Sequence, residues 1–235
     1  MPLLVGYHRP NTLSEAVSLL AQPHHVPLAG GTVLNADRSR SDLIGVDLQA
    51  LGLDSITRDN SHAAIGAMVR LSDVVGAFDG DLLSEAARRE LPSTLRTIGT
   101  VGGSVAVAGS ENLVVAALLA SSATVETDDG ERRDLVDFLE DPRGLIVAVD
   151  VDTSGSWAFE HTGRTPMDTP IVAAMGRATA NGLIISLTGV SSTPVAVSSV
   201  DEVEHIIPIG DFRGSSEYRH HLAVKLTERV IGALS

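Results

Sequence analysis

Leu28-Ala29-Gly30-Gly31-Thr32 and Thr100-Val101-Gly102-Gly103-Ser104 are the two stretches that decide how this chain of 235 residues is interpreted. In each, two adjacent glycines follow apolar or small residues, and a hydroxyl side chain comes directly after them. Glycine allows positive φ and lets the backbone approach a ligand closely. Consecutive backbone N–H groups in such a turn can form a concavity that binds anions. These segments, called here the first and second glycine turns, are therefore predicted to hold the two halves of a pyrophosphate.

The same glycines also fit a purely structural role as tight strand-to-helix connections. A Rossmann site is a poor explanation, because Gly99-x-x-Gly102-Gly103 lacks the G-x-G-x-x-G spacing and lies in no βαβ unit. From the local sequence alone, ligand-binding turns and structural turns both remain open.

The composition is that of a globular protein with a substantial core, since 43% of the residues are hydrophobic and 20% are charged. Thirty acidic residues against 17 basic ones give a formal net charge of −13, which argues against a nucleic-acid partner. An acidic chain that binds a pyrophosphate is expected to use backbone donors rather than basic side chains. Because the chain has no cysteine, it can form no disulfide and supply no thiolate to an iron–sulfur cluster. No long apolar segment or signal pattern is evident, so we expect a cytoplasmic protein without a membrane span.

Helix and strand signals alternate irregularly, which predicts an α+β fold. Thr12-Leu13-Ser14-Glu15 has the pattern of a capping box before a helix over about 13–21, and a further helix can begin at Val33. Helices are also predicted over 71–78, 81–90, 112–121 and 215–234. From residue 123 onward the pattern predicts one antiparallel sheet that includes strands near 145–151 and 157–161. A weak boundary near 152–156 separates residues 1–152, with subdomains of about 1–52 and 53–152, from residues 153–235.

Five segments in a fixed order resemble the flavoprotein (medium) subunit of the molybdenum hydroxylases, the family of carbon monoxide dehydrogenase and xanthine dehydrogenase. They are Y-x-x-P-x-[ST]-x-x-E-A over 7–16, A-G-G-T over 29–32, I-G-A-x-x-x-L-x-[DE] over 65–73, a form of I-R-N-x-x-T-I-G-G-N over 95–104, and Ser216-Glu217-Tyr218-Arg219. Since these segments run from residue 7 to residue 219, the resemblance covers the whole chain.

The resemblance implies an FAD-binding domain of two small α/β subdomains over 1–152, followed by a C-terminal flavoprotein domain with an antiparallel sheet and a closing helix. It implies that the chain transfers electrons from an iron–sulfur subunit through FAD to an external acceptor. A molybdopterin subunit would oxidise the substrate, and the chain would be inactive without its partners. No catalytic side chain or metal ligand is implied. The implied cofactor-binding residues are Leu28, Ala29, Gly30, Gly31, Thr32, Val33, Gly99, Thr100, Val101, Gly102, Gly103, Ser104, Ala106, Leu145 and Ile146.

Three positions depart from the family pattern. Leu113 stands where many members have an acidic residue near the cofactor, and Glu160 replaces a lysine that can lie against the flavin. Ser104 replaces the usual asparagine. These departures keep a second interpretation open, in which the chain is a degenerate scaffold or binding subunit of the same fold with weak or no FAD binding.

Overall fold

Three β-sheets follow one another in the computed structural model, which describes residues 4–34, 36, 41–163 and 168–235. The first sheet is parallel, with strand order β1-β3-β2. Its elements are β1 (Leu4–His8), α1 (Leu13–Leu20), β2 (His25–Leu28), β3 (Leu43–Asp47) and a short 3-10 helix (Gln49–Leu51). The N-cap half of the predicted capping box is confirmed, since Thr12 Oγ1 accepts from Glu15 N at 3.2 Å; the Glu15 carboxylate accepts from Asn11 N at 3.1 Å, one residue before the amide expected for a capping box. The helix expected from Val33 falls largely on residues 35 and 37–40, which lie outside the described residues.

The second sheet is antiparallel and has the strand order β4-β5-β8-β6-β7. Its strands are β4 (Ile56–Arg58), β5 (His62–Gly66), β6 (Thr124–Thr127), β7 (Arg132–Asp134) and β8 (Ile146–Asp152). The helices are α2 (Leu71–Ala77), α3 (Leu82–Glu90), α4 (Ser93–Arg96), α5 (Val101–Val107), α6 (Leu113–Ala120) and α7 (Leu135–Glu140). All residues of α6 are buried, as expected for a helix that is apolar on every face.

The third sheet has the order β12-β11-β10-β9 and is also antiparallel. Its strands are β9 (Ser156–Thr162), β10 (Val172–Thr179), β11 (Gly182–Thr188) and β12 (Val195–Val197), followed by α8 (Val200–Glu204) and α9 (Ser216–Leu234). Ala174 lies in a core cluster with residues of α9, whereas Met175 lies in the large central cluster with α6. The sheet is therefore buried on both faces.

The α+β class is confirmed, but the predicted single sheet after residue 123 is wrong. Strands β6 to β8 complete the second sheet, and Val149 of β8 lies opposite both Ile65 of β5 and Val125 of β6. Only the strands from Ser156 onward form the C-terminal sheet. A short apolar strand looks the same in sequence whichever neighbour it pairs with, so local patterning left this choice undetermined. The division into domains over 1–152 and 153–235 stays a prediction.

A buried arginine links the third sheet to α3. The Arg177 side chain on β10 donates to both carboxylate oxygens of Asp81, at 2.9 and 2.8 Å, and to Ser121 Oγ at 3.1 Å. Asp81 also caps the start of α3 by accepting from Leu83 N at 2.9 Å. This ion pair fixes the helix whose last residue, Glu90, faces the candidate site described next.

Candidate cofactor site

The two glycine turns lie side by side and line a cleft of about 800 Å³. The wall is completed by residues around Ala67, the end of α3, the loop over 109–112 and the segment over 142–146. This volume falls within the range of roughly 300–1,000 Å³ that is usual for ligand pockets. The cleft thus has the size and composition of a binding site for an organic cofactor.

Most of the implied cofactor-binding residues are brought together by this cleft. Its lining includes Ala29, Gly30, Gly31, Thr32, Val33, Gly99, Thr100, Gly102, Gly103, Ser104, Ala106, Leu145 and Ile146. Leu28 and Val101 do not line it: the Leu28 carbonyl accepts from Leu48 N, and Val101 is buried in the core with its amide bonded to Val69 O. Whether the lining residues contact FAD stays a prediction.

Close backbone packing explains Gly30 and Gly102 better than positive φ does. A Cβ atom on Gly30 would lie 1.9 Å from the carbonyl oxygen of Ile98, which comes just before the second turn. Only glycine at position 30 therefore lets the two turns approach this closely. A Cβ on Gly102 would lie 2.7 Å from the Cβ of Ala67. Among the four glycines of the turns, only Gly31 has positive φ, at 67°. The expected left-handed conformation is therefore present at one position, and the others allow segments of the chain to approach each other.

The second glycine turn is the first turn of α5, a helix that the sequence pattern did not indicate. Thr100 caps it by accepting from Gly103 N at 3.1 Å, while Val101 N and Gly102 N donate to the carbonyls of Val69 and Ala67 at 3.0 and 2.8 Å. These amides are therefore already paired with protein acceptors. In contrast, the amides of residues 29–32 find no backbone acceptor among the described residues. Within the described part of the chain, the first turn is thus the one whose amides are left for an anion, and the second turn lines the cleft beside it.

Two acidic side chains also line the cleft. Glu90 ends α3, and its Oε2 accepts from Leu113 N at 2.6 Å. Burial raises the pKa of the Glu90 carboxyl to about 7, the nearby Glu111 adds to the rise, and amide hydrogen bonds from Leu113 and Val114 oppose it. Glu111 forms an ion pair with Arg213, whose guanidinium also donates to the carbonyl of Thr169. Sequence reasoning missed Glu90 because a charged residue at a helix end is usually solvated.

The departures from the family pattern fall in different places. Leu113 and Ser104 line the cleft. Glu160 does not, and its carboxylate lies 3.8 Å from the Arg229 guanidinium of α9. Residue 160 therefore does not contribute to the cleft wall, whereas Leu113 lies in the wall with its amide bonded to Glu90.

Two further observations on the described residues concern membrane spans and metal sites. None of the helices in the described part of the chain is long and apolar enough to cross a membrane. Within the same residues, no three His, Cys, Asp or Glu side chains are grouped so that they could hold a metal ion.

Comparison with known proteins identifies the family. Residues 3–149 match the family model described as the FAD binding domain in molybdopterin dehydrogenase. The uncharacterized protein YgfM of Escherichia coli strain K12 is 30% identical over 239 residues, which cover 94% of this chain and 92% of YgfM. The carbon monoxide dehydrogenase medium chain of Afipia carboxidovorans is 26% identical over 278 residues, which cover 98% of this chain and 96% of the relative.

Solved structures share the fold over the whole chain. A Cu,Mo-CO dehydrogenase in its cyanide-inactivated form superimposes with a TM-score of 0.87 at 24% identity, covering 100% of this chain and 98% of the other. Quinoline 2-oxidoreductase from Pseudomonas putida 86 gives a TM-score of 0.83 at 22% identity, with 97% and 96% covered. Together with the family match, these findings show that the chain belongs to the FAD-binding medium subunits of the molybdenum hydroxylases and that FAD is its cofactor.

Proposed function

We propose that this chain is the electron-transfer subunit of a molybdenum-containing dehydrogenase and holds FAD in the cleft between its two glycine turns. The observation that carries the proposal is that both glycine turns line one cleft, with Gly30 packed against Ile98 just before the second turn and with the amides of residues 29–32 lacking a backbone acceptor among the described residues. Bound FAD supplies redox chemistry that no side chain in this cysteine-free chain provides.

The residues of the chain bind and orient the cofactor. The amides of residues 29–32 are the donors available to a phosphate, and backbone donors suit a chain with a net charge of −13. Leu91, Leu113, Phe138, Leu145 and Ile146 form an apolar wall that excludes water from a flat ring. The backbone donors in one part of the cleft suit the pyrophosphate of FAD, and the apolar surface in another part suits its aromatic ring system.

We infer that electrons reach this site from another polypeptide rather than directly from a substrate at the flavin. The sequence supplies no thiolate for an iron–sulfur cluster, and no group of side chains in the described residues could hold a metal ion. We infer that an iron–sulfur subunit delivers the electrons and that a molybdopterin subunit oxidises the substrate. A relative named as the medium chain of carbon monoxide dehydrogenase supports this assignment.

A scaffold that does not retain FAD is the second candidate. Leu113 favours it because the acidic residue that many family members have near the cofactor is missing there, and Glu90 favours it because a carboxylate near an anionic cofactor weakens binding. Both candidates predict the same fold, so only measured FAD binding separates them.

A matched pair of variants tests the cleft as the FAD site. A side chain added at Gly109 has no atom within 4 Å and lines the cleft, whereas Gly76 has equally open space but lies on the surface of α2. We expect Gly109→Phe to weaken FAD binding by about tenfold or more, since a phenyl ring occupies cofactor space. Gly76→Phe is expected to bind like the wild type. Equal affinity of both variants, measured by quenching of flavin fluorescence, would place the site elsewhere.

The partner proposal needs a separate experiment. The chain is co-expressed with iron–sulfur and molybdopterin subunits encoded beside it, and the flavin absorbance is followed after substrate is added. Bleaching is expected only when all three subunits are present. Rapid bleaching of the isolated chain by an organic substrate would instead make it a self-contained flavoenzyme.

A further inference from the structure

Glu90 occupies an unusual place in the cleft wall. It is the last residue of α3, and its carboxyl reaches across to the start of α6, where Leu113 N donates to Oε2 at 2.6 Å. This bond fixes the direction of the side chain while part of it stays exposed to the cleft. Among the ion pairs of the described residues, none neutralises Glu90.

The cations around this corner are already engaged. Arg89 pairs with Glu85 at 2.5 Å, and Arg96 of α4 donates to the carbonyls of Arg88 and Leu91. The charged and titratable side chains on the described elements around Glu90 are Asp73 on α2, Glu85, Arg88 and Arg89 on α3, Arg96 on α4, Glu111 before α6, Arg143 before β8, and Glu160 and His161 on β9. Arg143 pairs with Asp141 at 3.1 Å and Arg213 pairs with Glu111. Burial, with a further contribution from Arg89, lowers the pKa of His161. Within the described residues, the cations that line the cleft are thus paired with other carboxylates, and none forms an ion pair with Glu90.

An ionised carboxylate at this place would oppose the proposed ligand. FAD carries negative charge on its pyrophosphate, and a second negative charge at Glu90 would repel it across the cleft. A neutral carboxylic acid removes this repulsion and gains an O–H donor, while its other oxygen still accepts from Leu113 N.

Resting on the FAD-binding function proposed above, we propose that Glu90 binds the cofactor as a neutral acid and donates a hydrogen bond to an acceptor atom of FAD. The pKa of about 7 supports this, because proton uptake by Glu90 then needs little free energy near neutral pH. FAD binding is accordingly coupled to the uptake of a proton at this residue.

The dissociation constant of FAD is measured by flavin fluorescence at about pH 6 and about pH 8 for the full-length wild type, Glu90→Gln and Glu90→Ala. A group with a pKa of about 7 that must be protonated weakens binding by about tenfold over this interval. Glu90→Gln is expected to bind tightly at both values, because its amide accepts from Leu113 N and donates into the cleft. Glu90→Ala is expected to bind weakly at both. Glu131→Gln, an exposed hairpin residue outside the cleft, should retain the wild-type dependence on pH.

The comparison between the wild type and Glu90→Gln decides whether Glu90 is the group that takes up the proton. Any pH dependence of FAD binding that comes from other residues is the same in the wild type and in the variants. An equal loss of affinity with pH in both would assign the proton to another group and overturn the proposal. Binding by Glu90→Gln as weak as that of Glu90→Ala would show that FAD requires a carboxylate acceptor, which also overturns it. Tight, pH-independent binding by the wild type overturns only this inference, whereas no FAD binding at any pH overturns the proposed function as well.

Discussion

Gly30→Ala tests the contact between the two glycine turns. The added Cβ would lie 1.9 Å from the carbonyl oxygen of Ile98 and 2.7 Å from its carbon. A normal carbon–oxygen contact is about 3.2 Å, so the turns must separate by roughly 1.3 Å. Overpacking of this kind costs about 1–3 kcal/mol, and the upper end applies because the obstacle is backbone rather than a flexible side chain. For a chain of this size, about 3 kcal/mol corresponds to a fall of roughly 6–12 °C in the unfolding temperature.

The assay is thermal unfolding followed by circular dichroism, together with an FAD titration of the folded protein. Gly76→Ala is the matched control, because its Cβ has no neighbour within 4 Å and alanine is favoured in a helix by up to about 1 kcal/mol. We expect Gly30→Ala to unfold earlier and bind FAD less tightly, and Gly76→Ala to do neither. Equal unfolding temperatures for the two variants would refute the close approach of the turns.

Three further predictions concern named side chains. Arg177→Met leaves Asp81 without its buried cation, and we expect it to lower the free energy of unfolding by about 3 kcal/mol in denaturant unfolding. The control Lys225→Met removes an exposed ion pair and should change this free energy by less than about 1 kcal/mol. Glu90→Gln should stabilise the FAD-free protein by about 3 kcal/mol at about pH 8 and leave it unchanged below about pH 4. The raised pKa makes the ionised wild-type side chain destabilising, and this cost grows as the pH rises from 4.5 to about 7. A constant difference across this range in urea unfolding would contradict that cause. Glu160→Lys should leave FAD affinity within about twofold of the wild-type value, because residue 160 lies near Arg229 outside the cleft. A tenfold tightening of FAD binding would instead place residue 160 at the cofactor.

Local chemistry made part of the fold predictable from sequence. Thr12 caps the start of α1 by accepting from Glu15 N, as the spacing predicts, and the all-apolar segment over 113–120 forms the buried helix α6. The glycine turns also come together at one cleft, as the family resemblance implies. These features depend on residues close in sequence or on a motif that recurs across a family.

Features that depend on contacts between distant residues were not predictable. Packing decides which strands pair with β8. The helix α5 has two glycines of poor helix propensity in its first turn, and its first two amides donate to the carbonyls of Val69 and Ala67. The reason for glycine at position 30 becomes evident only when Ile98 lies beside it. Likewise, Glu90 resembles a solvated helix end until Leu113 is placed 2.6 Å from its carboxyl.

The most direct test of the central claim is the amount of FAD that the purified full-length chain retains. The protein is incubated with FAD, freed of unbound cofactor by gel filtration, and denatured, and the released flavin is measured by visible absorbance. Our account predicts about one FAD per chain for the wild type and for Gly76→Phe, and little or none for Gly109→Phe. A wild-type chain that is folded but releases no FAD, or a Gly109→Phe variant that releases as much as the wild type, would contradict it.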